Sequence, residues 1–286
     1  MIFRSLTYRY WFARIFHGFC FVVAWAGVVI LGILLFHVTC EGIQWFDLQF
    51  LSNFPSRFPE KAGIHSALFG TLWLMGFTAL FSVPIGIGSG LYLEEFMHKN
   101  RFSRFSDLNI SNLAGVPSIV YGMLGLVIFV RWFGLEQSVL AGSMTMSLLI
   151  LPVIIISTRE ALRSVPNTIR QAALALGTTR WQTTYAHVFP AALPGILTGI
   201  ILALSRAIGE TAPLVMIGAL TYVAFTPEGP MDDFTALPIQ IFNWASRPQQ
   251  EFHELAAAGI LVLLLALLMM NSIAVYIRHK SEKRNP

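Results

Sequence analysis

Apolar residues along this chain fall into six long runs separated by shorter polar stretches. The runs cover roughly residues 17–38, 64–93, 108–130, 138–157, 192–223 and 255–277. About 20 consecutive apolar residues cross the hydrocarbon core of a bilayer as a helix. The pattern therefore predicts an all-α polytopic membrane protein with six transmembrane helices. The first run is too long for a secretory signal core and lacks a small-residue cleavage site, so it reads as a retained span. Pro117 falls in the first half of the third run, where neighbouring groups must satisfy the carbonyl it frees. Gly86, Gly88 and Gly90 close the second run, but no strand precedes them, so they are not a phosphate cradle. Gly86 and Gly90 instead have the small-xxx-small spacing of close helix packing.

The polar stretches divide the chain further. Residues 1–16 mix Arg4, Arg9 and Arg14 with Tyr8, Tyr10, Trp11 and Phe12, a composition suited to a membrane interface. Residues 17–62 form the first span and an exterior loop with an interfacial segment. Residues 63–277 form the core, interrupted by a polar island at 159–190, and 278–286 are a basic tail. Residues 131–137 read as a short exterior turn and 224–250 as a longer exterior segment. In this layout, fourteen of the 19 Lys and Arg lie on the side of both termini and the 159–190 island. Arg57, Lys61, Arg131 and Arg247 lie opposite, and Arg206 is inside the fifth run. The positive-inside rule then makes the termini and the island cytoplasmic.

Composition agrees. Hydrophobic residues make up 55% and charged residues 12%, against about 25% charged in an ordinary soluble domain. Mean hydropathy is +0.65. The net charge of +4 is largely an orientation signal and does not point to nucleic acid. Cys20 and Cys40 would stand about 30 Å apart on one helix, too far to bridge. No Walker A, Cys-x-x-Cys or His-Glu-x-x-His pattern occurs, so neither a nucleotide nor a metal site is expected on this chain.

The polar island has its own internal order. Ser164-Val165-Pro166 opens a helix, since proline is favoured in a first turn. Ile169, Ala172, Ala173 and Leu176 recur at helical spacing. Gly177 supplies a C-cap, and Thr178 or Thr179 can cap a second short helix carrying Trp181, Tyr185 and Val188. Gln171-Ala172-Ala173, then Gly177, then His187-Val188-Phe189-Pro190 resembles the EAA loop of ABC-importer permeases, with Gln171, His187 and Phe189 departing from the pattern. The run Ala203-Leu-Ser-Arg-Ala-Ile-Gly-Glu-Thr-Ala-Pro213 and the run Leu113-Ala-Gly-Val-Pro-Ser-Ile-Val-Tyr-Gly122 are similar to PstA-type permeases of phosphate importers. That resemblance implies a bacterial inner-membrane subunit with a MetI-like permease fold. It implies that Gln171, Ala172, Ala173, Leu176, Gly177 and Trp181 meet an ATPase. It also implies the partners: a second homologous permease (PstC type), a cytoplasmic ATPase dimer (PstB type) that holds the ATP and Mg, and a periplasmic phosphate-binding protein (PstS type).

Arg206 and Glu210 stand one helical turn apart inside the fifth run and so share a helix face. Charges at mid-membrane cost several kcal/mol and usually face a partner or a cavity. Two readings are open from the residues: a self-satisfied pair that locks the helix, or an arginine that meets an anion with a glutamate that moderates it. The resemblance implies the second. Gly209 and Pro213 make a local break in this helix plausible. The chain as a whole is then expected to be a non-catalytic permease subunit of a phosphate importer. A permease for sulfate or molybdate, a secondary transporter and a phosphate-sensing membrane component are the alternatives.

Overall fold

The computed structural model describes residues 6–98, 100–219 and 222–282. Of the basic residues used for orientation, Arg4, Lys99, Lys283 and Arg284 lie outside this set. Helix α1 (Leu6–Gly42) is continuous for 37 residues, about 55 Å at 1.5 Å per residue. Residues 6–16 of the expected interfacial segment are the start of this helix. Cys20 and Cys40 are both free and exposed on it. A short helix α2 (Leu48–Ser52), capped by Asp47, leads to α3 (His65–Leu91), which runs on as a π turn over Tyr92–Phe96.

The third hydrophobic run is not one straight span. Helix α4 (Arg101–Ala114) and helix α5 (Ser118–Gly125, continuing as π-helix to Trp132) meet at an angle of 99°. The break falls at Gly115-Val116-Pro117, because proline disfavours helical geometry in the residue before it. Helix α6 (Val139–Ser164) begins at its Ser138 cap and occupies the centre, with 67% of its most apolar stretch buried. The island then folds as α7 (Asn167–Ala175) and α8 (Arg180–Thr183). Helix α9 (Phe189–Ile208) stops at Gly209, and α10 (Ala212–Ile217) resumes three residues later. The stretch expected to be an exterior segment at 224–250 contains a helix, α11 (Leu237–Ala245), whose Leu237, Ile239 and Trp244 are fully buried. Helix α12 (Gln250–Glu282) completes the described chain. Among the described residues five helices are long and apolar enough to span, and α4 and α5 pass the same test only when the bent pair is taken together.

Packing around α6 explains the glycine spacing. A Cβ added at Gly86 would lie 2.5 Å from Ile154 Cγ2, and one at Gly90 would lie 2.8 Å from Thr158. Helices α3 and α6 are also tied by Ser143 Oγ donating to the Leu74 carbonyl at 3.1 Å and Ser147 Oγ donating to the Thr78 carbonyl at 3.2 Å. Hydroxyl bonds of this kind join helices where lipid offers no hydrophobic drive. At the end opposite the island, Val139 N and Leu140 N donate to the carbonyls of Asp232 and Pro230. The returning chain thus satisfies the first turn of α6. Gly86→Val should overpack this contact at a cost of about 1–3 kcal/mol. The checking measurement is the thermal midpoint of purified protein beside Gly88→Val, since an added Cβ at Gly88 meets nothing within 4 Å.

Candidate functional site

The break between α9 and α10 is the chemically unusual place in the span region. Gly195 packs on Ala161 and Gly199 on Ser157, an antiparallel register between α9 and α6. Continuing that register puts Arg206 level with Ile150, halfway along α6. Arg206 Nε donates to Glu210 Oε1 at 3.2 Å, so the pair predicted from spacing forms. Its two members are not equally enclosed: the Arg206 side chain is 52% exposed and the Glu210 side chain 21%. Arg206 lies on a face of α9 shared with Leu202, which is also exposed. Charges at such a depth usually face a cavity or a partner, and Arg206 is half uncovered in the single chain.

Helix starts gather at the same level. Gly125 packs on Thr145 of α6, which places Ser118, the first residue of α5, at the depth of the middle of α6. Gly122 lies against Pro213 and Met216, so α5 begins about one turn below α10. Backbone N–H groups in a first helical turn have no intrahelical acceptor, and their end of the helix carries partial positive charge. The start of α5 thus stands at about the same depth along α6 as Arg206.

The 159–190 island forms a second surface. Gly177 adopts φ +83°, the left-handed conformation its C-cap role demands. Thr179, the second of the two threonines considered, caps α8 in a capping box with Gln182. The apolar stripe of α7 divides. Ile169 and Ala173 turn inward, whereas Gln171, Ala172, Leu176 and Gly177 are exposed. Ala173, placed by sequence among the contact residues, is 6% exposed and gives its carbonyl to Thr178 Oγ1 at 2.8 Å. Leu176 projects at 86% exposure. Trp181 stacks on Tyr185 at 6.3 Å and touches Phe96 at 5.9 Å, leaving both stacked rings exposed.

Ion pairs that the sequence did not single out anchor this surface. Arg159, nearly buried on α6, bonds Asp107 of α4 at 2.6 Å and Glu94 of the π turn at 3.2 Å. Arg163 reaches the other oxygen of Glu94 at 3.0 Å. Arg170 of α7 bonds Glu95 at 2.6 Å and also donates to the carbonyls of Leu162 and Val165. The end of α3, α4, α6 and α7 are therefore one cross-linked unit. The signal was Glu94-Glu95 at the end of an apolar run, facing arginines otherwise read only as orientation charges.

A family model described as binding-protein-dependent transport system inner membrane component matches residues 82–283. The chain belongs to that family. The match takes in the α9–α10 break, the island and the ion-pair unit. A probable ABC transporter permease protein, YqgI, of Bacillus subtilis is 31% identical over 84% of this chain and 86% of its own length. The phosphate transport system permease protein PstA 1 of Mycobacterium tuberculosis is 32% identical over 99% of this chain and 94% of its own. Its counterpart PstA from Pasteurella multocida is 32% identical over 92% and 93%. Among solved structures, a bacterial alginate ABC transporter matches with TM-score 0.68 at 15% identity, covering 96% of this chain and 97% of that one. The inward-facing methionine transporter MetNI gives 0.63 at 16% identity, covering 75% and 94%. These place the fold among ABC-transporter permeases, and family membership makes the chain a multi-pass inner-membrane component.

Proposed function

We propose that this chain is the transmembrane permease subunit of an ATP-driven importer of inorganic phosphate. The observation that carries the reading is Arg206 paired with Glu210 at a break in α9, in a chain whose similarity to phosphate permeases extends over nearly its full length. Transport sites commonly form where discontinuous helices end near the bilayer centre, with helix starts aimed at anionic groups. Phosphate carries one to two negative charges at neutral pH and needs a cation together with several donors. Arg206 offers the planar fork that suits an oxyanion, and the first turn of α5 adds backbone donors.

A second homologous permease subunit completes the pathway around the exposed face of Arg206. The island is cytoplasmic and docks in a groove of an ATPase dimer through Gln171, Ala172, Leu176, Gly177 and Trp181, with Ala173 holding the loop from inside. ATP and Mg sit on that ATPase, which performs the hydrolysis. A periplasmic phosphate-binding protein delivers substrate from the opposite side. Closure of the ATPase moves α7, and the Arg170–Glu95 and Arg159–Glu94 pairs carry that motion into α3 and α6, giving alternating access.

Uptake of labelled phosphate in cells lacking only this chain is the test. Uptake should disappear, return with the plasmid-borne chain, and be insensitive to excess sulfate. Sulfate or molybdate uptake lost in place of phosphate uptake would assign the chain to another oxyanion.

A further inference from the structure

Helix α4 has an exposed surface that lies outside the Arg206–Glu210 break and the 159–190 island. Its inner side is fixed. Asp107 bonds Arg159 at 2.6 Å, and the Leu113 carbonyl accepts from Tyr121 Oη at 2.8 Å. Its outer side presents Phe102, Phe105 and Leu108 at 65%, 63% and 59% exposure. Arg101 stands among these apolar side chains and Arg104 beside them; both are exposed, and neither makes an ion pair among the described residues.

Depth decides what meets such a face. Arg159 lies about eight residues from the middle of α6, or about 12 Å along its axis. The half-thickness of a hydrocarbon core is about 15 Å. Asp107, and the first half of α4 with it, is thus near the boundary between acyl chains and headgroups. Helix α4 turns 99° away from α5, which leaves its outer side uncovered by the rest of the chain. Beside it, between the end of α3, α4 and α6, opens a cleft of about 530 Å³ lined by Leu93, Met97, Arg101, Arg104 and Arg163 among others. Glu94 and Asp107 also line it, but both are engaged by Arg159, and Glu94 by Arg163 as well.

We propose that α4 and this cleft bind an anionic phospholipid of the leaflet on the island side. Arg101 and Arg104 meet the headgroup phosphate, while the acyl chains lie over Phe102, Phe105 and Leu108. A helix at the interface with aromatic residues on one side and basic residues beside them binds by apolar burial plus attraction to anionic lipid. Basic pockets between spanning helices hold anionic headgroups for the same reason. Free inorganic phosphate shares the charge but leaves the three apolar side chains without a partner, so the apolar face selects the lipid. The bound lipid abuts the Arg159–Glu94–Asp107 pairs and would stabilise the unit that holds α7.

The test uses the full chain, purified with the subunits that accompany it, in phosphatidylcholine vesicles containing a minor fraction of acyl-photoactivatable phosphatidylglycerol. After irradiation and digestion, lipid adducts should appear on the peptide containing Phe105 and Leu108. Arg101→Gln with Arg104→Gln should lower their yield about tenfold or more, given the attraction of two basic residues for an anionic surface. Adducts on α1, which packs largely outside the core, should be unchanged and report intact insertion. Photoactivatable phosphatidylcholine should label α4 weakly and ignore the arginines. Three results would overturn the assignment: α1 labelled while α4 is not, because protein covers it; equal α4 labelling by both lipids; or loss of α4 labelling on addition of inorganic phosphate. None of these readouts depends on which ion the protein transports.

Discussion

Arg206→Gln should lower phosphate uptake per assembled complex by about 10- to 100-fold, the loss expected for charged hydrogen bonds of about 1.5–3 kcal/mol. Arg206→Lys keeps the charge but loses the fork, so it should be impaired less. Glu210→Gln leaves Arg206 without the counter-ion that stands 3.2 Å away. The freed arginine should hold the anion longer and slow release, so uptake falls while binding strengthens. A pair that merely locks the helix predicts otherwise: each single change lowers the amount of folded complex, and the double change Arg206→Gln with Glu210→Gln recovers uptake. Uptake normalised to complex abundance in the singles and the double separates the two. Recovery in the double would remove Arg206 and Glu210 from the pathway.

Local chemistry was the most legible part of this chain. Gly177 read as a C-cap because a helix followed by glycine has few other solutions, and its φ is +83°. Gly86 and Gly90 read as a packing face, and they meet Ile154 and Thr158. The break near Gly209 and Pro213 was visible because a charged pair, a glycine and a proline coincide. The bend in the third run was not. Leu108, Ile110 and Leu113 keep the hydropathy of α4 continuous with that of α5, so a sliding average joins them. The decisive marks were local: Asn100 accepting from Ser103 N as a helix cap, and the Gly115-Val116-Pro117 stop. Helix α11 was hidden for the opposite reason. Its 9 residues are too few to span, yet burial against α3 and α12 makes it part of the core. The division of Ala172 from Ala173 also exceeds what spacing can reveal. Both fit an apolar stripe, and only the fold of Thr178 back onto the Ala173 carbonyl decides which one faces inward.

That division yields the other large effect. Ala172→Glu places a carboxylate on the exposed side of α7, where the chain alone accommodates it in water. In a closed ATPase groove the same group is desolvated without a partner, a penalty of several kcal/mol, or about a hundredfold or more in docking. The permease should therefore reach the membrane in normal amount yet lose both ATPase co-purification and uptake. Leu176→Asp should behave alike, since it removes the most exposed apolar side chain of the loop. Ala173→Glu should fail differently. Its side chain is 6% exposed, so the glutamate must push α7 away from the turn made by Thr178 and Thr183, whose hydroxyls bond at 2.8 Å. The expected result is less folded protein and faster proteolysis within 159–190, with ATPase binding lost only as a consequence. Limited proteolysis and ATPase co-purification, run side by side on the three variants, tell docking from folding. Full uptake with Ala172→Glu would show that α7 meets only solvent, and the coupling role would then pass from this loop to another part of the ion-paired unit.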